Sequence, residues 1–192
     1  RETKYTESGK VVLKVAHIQI TDHLVVGVLK DMIKNGDVTP QHFELETECM
    51  SSWNPVARAL EQNQVDAACI LAPIAMDLYG GGADINLVLY AHKNGSICVR
   101  NRKGRPYEEP YQEFFRGRSF YIPHILSIHH MLSHMFLDGI GLKGGMPGQD
   151  DVDVNFEVVP PIQMPTFLSQ SEDACGYMVA EPLGTKAIAS HD

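Results

Sequence analysis

The sequence predicts an α/β fold in which mixed, mostly parallel sheets are flanked by helices and arranged as two lobes. Three observations lead to this prediction. Short runs of strand-like composition alternate with segments of helical periodicity, and the loops between them are short. A charged stretch containing proline and glycine interrupts this alternation at residues 101–118. The alternation then starts again at Ser119, so each half of the chain predicts an α/β unit of its own.

Each predicted strand is a short apolar run, rich in β-branched or aromatic residues, that ends at a turn or a proline. Pro73, Pro123 and Pro160 end three of these runs, because proline has no N–H to donate to a strand ladder. The predicted strands, in chain order, cover residues 11–16, 43–49, 64–72, 85–90, 96–99, 119–122, 154–159 and 175–179.

The predicted helices lie between these strands and carry recognisable start and stop signals. Apolar residues recur at helical spacing in the first helix, and Gly36 follows it as a stop signal. Pro55 and Pro165 each suit a first helical position, and Ser127 is a predicted N-cap. The helices are predicted over residues 23–35, 55–62, 73–78, 128–138 and 165–170.

Charge and composition exclude several classes of function. The 192-residue chain has a formal net charge of −8, and because phosphate binding needs a basic face, we expect no nucleic-acid partner. No apolar run approaches the length of a membrane span, and from the polar start at Arg1 we expect no signal peptide in this chain, whether one was never there or was removed. The four cysteines lie far apart without a CxxC motif, which favours buried free thiols over a zinc ribbon or a redox pair.

Candidate binding residues follow the predicted strands. In open α/β sheets, ligands bind at the carboxyl ends of strands, where helix N-termini offer unpaired N–H groups. Four segments meet this description: residues 17–23, 51–54, 71–73 and 124–130. For the small hydroxyl residues in them, plain helix capping is the alternative role. Trp53, the single tryptophan, is expected to line a pocket or to pack across a domain interface.

The histidines include one candidate pair of metal ligands. His130 and His134 are spaced i, i+4 on a predicted helix, which is a usable metal pair. Met131 follows His130, so the HExxH motif is absent, and no third ligand is apparent. We therefore expect no metal, with His130 and His134 as the alternative site. A GxSxG nucleophile motif and a phosphate loop are also absent, so no catalytic residue is assigned.

Several landmarks together resemble the nitrate/sulfonate/taurine-type substrate-binding proteins of ABC importers, which are relatives of the thiamine-precursor binders. The landmarks are Val15–Thr21, Gln64–Ala67, the set Pro123, Ser127 and His129, and Gly176 followed by Glu181-Pro182. The resemblance covers nearly the whole chain. It implies a two-lobed, periplasmic-binding-protein-like (type II) fold. Its expected divisions are lobe 1 over residues 1–100, incomplete at its C-terminal part, lobe 2 over 101–182, and a return segment toward lobe 1 over 183–192.

The resemblance also implies a function. The expected protein captures a small anionic, zwitterionic or heterocyclic ligand in the inter-lobe cleft and passes it to an ABC permease in the membrane. It would work without a cofactor, as a monomer, in the periplasm or anchored outside the cell membrane. The ligand contacts carried over from the resemblance are Gln19, Thr21, Trp53, Leu71, Ala72, Ser127, His129 and Glu181.

Two alternatives stay open at this point. The same scaffold would suit a small-molecule enzyme, a lyase or a cofactor-biosynthesis enzyme, with His17 or His129 as the acid/base. The chain could also be a ligand-sensing module of a larger protein. Members of the resembled family usually continue past the Glu-Pro segment, so this chain looks shortened at its C-terminus.

Overall fold

The computed structural model describes residues 2–190, and the chain divides into two compact units, residues 1–94 and 95–192. This division lies before the strand Ser96–Arg100, whereas the sequence placed it after residue 100. The reason is strand pairing, because Ser96–Arg100 forms an antiparallel ladder with a strand near the C-terminus. The strand therefore belongs to the second unit.

The first unit contains a three-stranded parallel sheet with the order β2-β1-β3. In β1 and β2, Val11 pairs with Phe43 and His17 pairs with Cys49, so the two carboxyl ends are level. The segments that follow His17 and Cys49 therefore leave the same edge of the sheet. The elements, in chain order, are β1 (Val11–His17), α1 (Leu24–Asn35), β2 (Phe43–Cys49), α2 (Trp53–Glu61), β3 (Ala67–Ala68) and α3 (Ala72–Gly80).

The core of the first unit lies between the sheet and α2. Ala16, Val56 and Trp53 are all at most 2% exposed, so the amphipathic face of α2 packs into this core. Helix α1 ends at Gly36, whose φ of 83° is the left-handed conformation that glycine adopts most readily. No residue of α1 is fully buried. The core is therefore carried by α2 and the sheet rather than by α1.

The prediction of a strand over residues 85–90 is wrong. This segment has no regular structure, and Leu87 and Val88 are 70% and 85% exposed. Within residues 2–190 it pairs with no strand. High β-propensity describes how side chains fit a pleated, half-buried surface, and it does not form a strand without a partner. The predicted third strand is likewise reduced to the two residues of β3.

The second unit contains a five-stranded sheet with the order β4-β8-β5-β7-β6. Strand β4 is antiparallel to β8, and the other pairings are parallel, which confirms the predicted mixed, mostly parallel α/β class. The elements, in chain order, are β4 (Ser96–Arg100), α4 (Gln112–Phe115), β5 (Ser119–Ile122), α5 (Ile128–Gly139), β6 (Gly144–Gly145), β7 (Val154–Val158), α6 (Met164–Gln170), β8 (Ala174–Ala180) and α7 (Leu183–Ala189).

Strand β8 is the centre of this unit and is buried along its whole length. A Cβ atom added to Gly176 would lie 2.3 Å from the carbonyl oxygen of Val99, so only glycine lets β4 approach this closely. Phe120 and Phe156 on the strands and Leu137 on α5 form part of the buried apolar core of this unit. The packing therefore fixes the ends of β8, β5 and α5 relative to one another.

The buried side chains of Arg118 and Asn101 hold together the end of the sheet at which β5 and β8 begin. Arg118 is 3% exposed, and its guanidinium lies 4.7 Å from the ring centre of Phe114. Its N–H groups donate to the carbonyl oxygens of Lys103, Phe114, Glu172, Asp173 and Ala174. The Asn101 amide donates to the carbonyl oxygens of Leu168, Ser171 and Ala174. These two side chains thus pair the polar backbone groups of several loops at once.

Helix α7 differs from the expected return segment over residues 183–192. It packs against α6, β4 and β8, which are all elements of the second unit. Leu183 and Ala187 are buried, and the Tyr177 hydroxyl donates to the carbonyl oxygen of Leu183 at 2.8 Å. The apolar face of the helix therefore packs within the second unit, to which the helix belongs. The last two residues of the predicted segment lie outside the described part of the chain.

The cysteines are free thiols, as predicted, but their burial differs. Cys175 is buried, whereas Cys49 and Cys98 are exposed residues. Both exposed cysteines lie on strands whose side chains alternate between the two faces of a sheet, and the apolar sequence context did not reveal which face is covered. Among the described helices, none combines the length and apolar character needed to cross a lipid bilayer.

We predict that Arg118→Lys lowers the free energy of unfolding of the second unit by about 2–4 kcal/mol, since a lysine ammonium cannot reach the same set of carbonyl groups. Arg116 is the matched control, because it pairs with Glu113 and Asp153 at the surface and its side chain is 46% exposed. Arg116→Lys should change the free energy by less than about 1 kcal/mol. Urea unfolding followed by far-UV circular dichroism measures both variants, and equal effects would contradict the role given to Arg118.

Candidate functional site

In the first unit, His23 and Trp53 form a buried pair beside the carboxyl ends of β1 and β2. His23 is 6% exposed, and its Nδ1 accepts a hydrogen bond of 2.9 Å from the Ile18 N–H. Its ring meets that of Trp53 edge to face, with 5.5 Å between the ring centres. Burial lowers the pKa of His23 to about 4, so the ring is neutral at pH 7. This pair fixes the loop that connects β1 to α1.

Next to His23, the carboxylate of Asp22 is partly buried. Its Oδ1 lies 3.6 Å from His92 Nδ1 and has no hydrogen-bond partner among the described residues. Burial raises the pKa of Asp22, and the nearby His92 opposes that shift. Sequence reasoning did not single out Asp22 or His92 as neighbours, since they are far apart in the chain. The loop after β1 therefore carries polar atoms that the fold leaves incompletely paired.

The five residues predicted as contacts in this unit lie in different settings. Gln19 is exposed in the loop after β1, and Thr21 begins the single helical turn before α1. Leu71 caps the N-terminus of α3, and Ala72 is its first residue. Trp53 is 2% exposed, so its ring packs in the core and supports His23. The contacts of these residues with a ligand stay a prediction.

An open pocket of about 470 Å³ lies at the carboxyl end of β2 and the N-terminus of α2. It includes Ser51 and Asn54 of the predicted segment 51–54, together with Arg58 and Gln64, which sequence reasoning missed. The complete lining is Glu48, Met50, Ser51, Asn54, Pro55, Arg58 and Gln64. Arg58 belongs to no motif, and Gln64 was noted only as the first residue of the landmark Gln64–Ala67, so it is the fold that brings both residues to this edge.

In the second unit, Ser127 is the N-cap of α5. Its Oγ accepts a hydrogen bond of 3.0 Å from the His130 N–H, and the residue is 5% exposed. This is the capping role that the sequence offered as the alternative. The cap fixes the start of α5 beside the end of β5, so the side chains of the first helical turn have defined positions.

His129, in that first turn, is 4% exposed. Its Nε2 lies 3.1 Å from the Oγ of Ser96, whereas its Nδ1 is buried without a hydrogen-bond partner among the described residues. Burial lowers the pKa of His129 to about 4, so its ring is neutral at pH 7. Sequence reasoning found His129 but missed Ser96, because the two residues are 33 positions apart and no local pattern links them.

Glu181 follows β8 and lies at the start of α7. Its two carboxylate oxygens accept hydrogen bonds of 2.9 Å from the N–H and the hydroxyl of Thr185. A carboxylate at this position stabilises the helix N-terminus, where N–H groups are unpaired. The fold thus gives Glu181 a structural role, and a ligand contact for it stays a prediction.

The alternative metal pair, His130 and His134, has the spacing of a metal site without a complete set of ligands. The two ring centres are 4.8 Å apart, and both rings pack on Phe156. His130 Nδ1 lies 2.8 Å from the carbonyl oxygen of Ile125. Within the part of the chain that the structure describes, no three histidine, cysteine or acidic residues are grouped to hold a metal ion.

We predict that the buried histidines make the protein less stable as the pH falls from about 6.5 to 4. In this range the unfolded chain binds a proton at each site and the folded chain does not, so stability is complete above 6.5 and decreases below it. Each histidine should lower the free energy of unfolding by up to about 1.4 kcal/mol for each pH unit of this decrease.

Urea unfolding at pH 7 and pH 5 tests this dependence. His129→Gln should reduce the difference between the two pH values, whereas His42→Gln, at an exposed position, should leave it unchanged. The same pH dependence in both variants would show that His129 is not held neutral by the fold.

Comparison with known proteins identifies a family whose model matches this chain. The model of the NMT1-like family matches residues 6–192. The comparison with curated protein sequences found no match.

Solved structures agree with the predicted fold. A ligand-binding component of an ABC-type import system from Staphylococcus aureus, solved with zinc bound, is 25% identical, with a TM-score of 0.76 over 93% of this chain and 57% of that chain. The periplasmic nitrate-binding protein NrtA of Synechocystis PCC 6803 is 19% identical, with a TM-score of 0.72 over 97% of this chain and 50% of that one.

The periplasmic aliphatic sulphonate-binding protein SsuA of Escherichia coli is 11% identical, with a TM-score of 0.57 over 93% of this chain and 54% of that chain. These likenesses confirm the predicted fold of the ABC substrate-binding proteins. The chain spans 50% to 57% of the length of these three structures.

Proposed function

This chain belongs to the NMT1-like family, and we propose that it is the solute-binding part of an ABC importer. In this proposal it binds a small anionic, zwitterionic or heterocyclic solute and delivers it to a membrane permease. The similar proteins are a ligand-binding component of an ABC-type import system from S. aureus and periplasmic binding proteins for nitrate from Synechocystis and for sulphonates from E. coli, which supports this function. By the same reasoning we place the protein in the periplasm or outside the cell membrane.

The observation that carries the proposal is the unpartnered nitrogen of His129. A buried polar atom without a hydrogen bond costs about 1–3 kcal/mol, and Nδ1 of His129 has no such bond among the described residues. His129 lies in the first turn of α5, where the helix also presents backbone N–H groups. A ligand that pairs with this nitrogen recovers the cost and gains hydrogen bonds from the helix end.

The helix N-terminus also favours the proposed ligand classes. The aligned peptide dipoles of α5, which has 12 residues, place partial positive charge at its first turn. Such an end attracts an anion, or the negative part of a zwitterion or a heterocycle, without a lysine or arginine. The neutral ring of His129 adds a hydrogen bond without adding a full charge.

The low pKa of His129 favours a role in binding over a role in acid–base catalysis. A general base works best when its pKa lies near the operating pH. The pKa of His129 is about 4, so at neutral pH this ring is a weak base that forms hydrogen bonds and does not readily accept a proton. His129 therefore suits a binding protein better than an enzyme that uses it for proton transfer.

We predict that His129→Ala weakens solute binding by about tenfold or more, because a buried hydrogen bond to the ligand is lost. Ser127→Ala should weaken it less, since its effect on the ligand passes through the start of α5. Isothermal titration calorimetry with nitrate and with an alkanesulfonate measures the dissociation constants.

His134→Ala is the matched control for this titration. His134 lies on the same helix, but its ring packs on Phe156 and His130. The substitution should therefore leave the affinity for the solute unchanged. Circular dichroism of each variant checks that the fold is retained. If His129→Ala and Ser127→Ala both bind with wild-type affinity, the proposed site is wrong.

A further inference from the structure

We infer that Ser96 is a positioning residue that determines which nitrogen of His129 carries the proton. Ser96 Oγ lies 3.1 Å from His129 Nε2, so the two side chains form a hydrogen bond in which either could be the donor. Because Nε2 is occupied, Nδ1 is the ring nitrogen that is left for a ligand. The ligand part of this inference rests on the proposed function, whereas the hydrogen bond itself does not.

The backbone on both sides of Ser96 is held in place. Ser96 begins β4, where it pairs with Ala180 at the end of β8. The N–H of Glu181 donates to the carbonyl oxygen of Gly95 at 2.8 Å, which extends this ladder by one further bond. The hydroxyl of Ser96 is therefore presented from the edge of the sheet and not from a loop, so it can fix its partner within a narrow range.

Burial restricts the ring of His129, and a hydrogen bond holds its backbone. Burial of the ring leaves it little freedom to rotate, and the Ser133 hydroxyl donates to the carbonyl oxygen of His129 at 2.6 Å. Side chains on a helix lean toward its N-terminus, so the ring of His129 lies over the start of α5. A hydrogen bond to Nε2 therefore holds the orientation of the ring and leaves Nδ1 as the ring nitrogen without a partner among the described residues.

The polarity of the surroundings indicates which tautomer this is. The first turn of α5 presents N–H donors that attract a hydrogen-bond acceptor. If Ser96 donates its proton to Nε2, then Nδ1 carries a proton and is a donor too. The ring and the helix end then select the same kind of ligand atom, an acceptor oxygen or nitrogen. With the opposite tautomer, Nδ1 would require a donor atom on the ligand, whereas the N–H groups of the helix would require an acceptor.

Nitrogen-15 NMR of histidine side chains in the ligand-free chain tests the tautomer directly. The signals of His129, identified by their loss in His129→Ala, should show a protonated Nδ1 and an unprotonated Nε2. Ser96→Ala should abolish this single pattern, and Ser96→Thr, which keeps the hydroxyl, should restore it. A protonated Nε2 in the wild-type chain, or an unchanged pattern in Ser96→Ala, would overturn the inference.

Affinity for nitrate and for an alkanesulfonate separates this inference from the proposed function. Ser96→Ala should weaken binding roughly fivefold to tenfold, with Ser96→Thr close to wild type. If His129→Ala loses affinity and Ser96→Ala does not, Ser96 has no positioning role. If the tautomer responds as expected while His129→Ala binds normally, the positioning is supported and the proposed ligand site fails.

Discussion

The second unit depends on a buried guanidinium whose hydrogen bonds go to backbone carbonyl oxygens. Arg118, together with Asn101, pairs the polar groups where β5 and β8 begin and where β4 ends. These contacts place β4 along the buried strand β8, and the close approach at Gly176 keeps it there. The opposite end of the same ladder carries Ser96, which contacts His129. The hydrogen bonds of Arg118 and Asn101 at one end of the sheet thus help to position Ser96 and its partner His129 at the other end.

Both units use burial to keep a histidine neutral. His23 is oriented by a backbone N–H and by the ring of Trp53, and His129 is oriented by a serine hydroxyl. In each case removal from water disfavours the charged ring more than nearby groups favour it. In the function that we propose, a neutral ring beside a helix end would recognise a small solute through directed hydrogen bonds.

Sequence patterns predicted the fold where local signals and packing agree. Periodicity, Pro and Gly signals located the main helices, and the N-cap of α5 was identified at Ser127. The apolar run at 85–90 failed because strand formation depends on a partner that local propensity does not reveal. Of the candidate site, His129 followed from its place after a strand, but Ser96 did not, since their contact exists only after β4 has paired with β8.

Native mass spectrometry of the gently purified protein tests the central claim, that His129 helps to hold a small solute. We expect one co-purified solute per chain in the wild type, and its loss in a folded His129→Ala variant. Equal retention of the same solute by both proteins would contradict the account, because the unpartnered nitrogen of His129 would then have no part in binding.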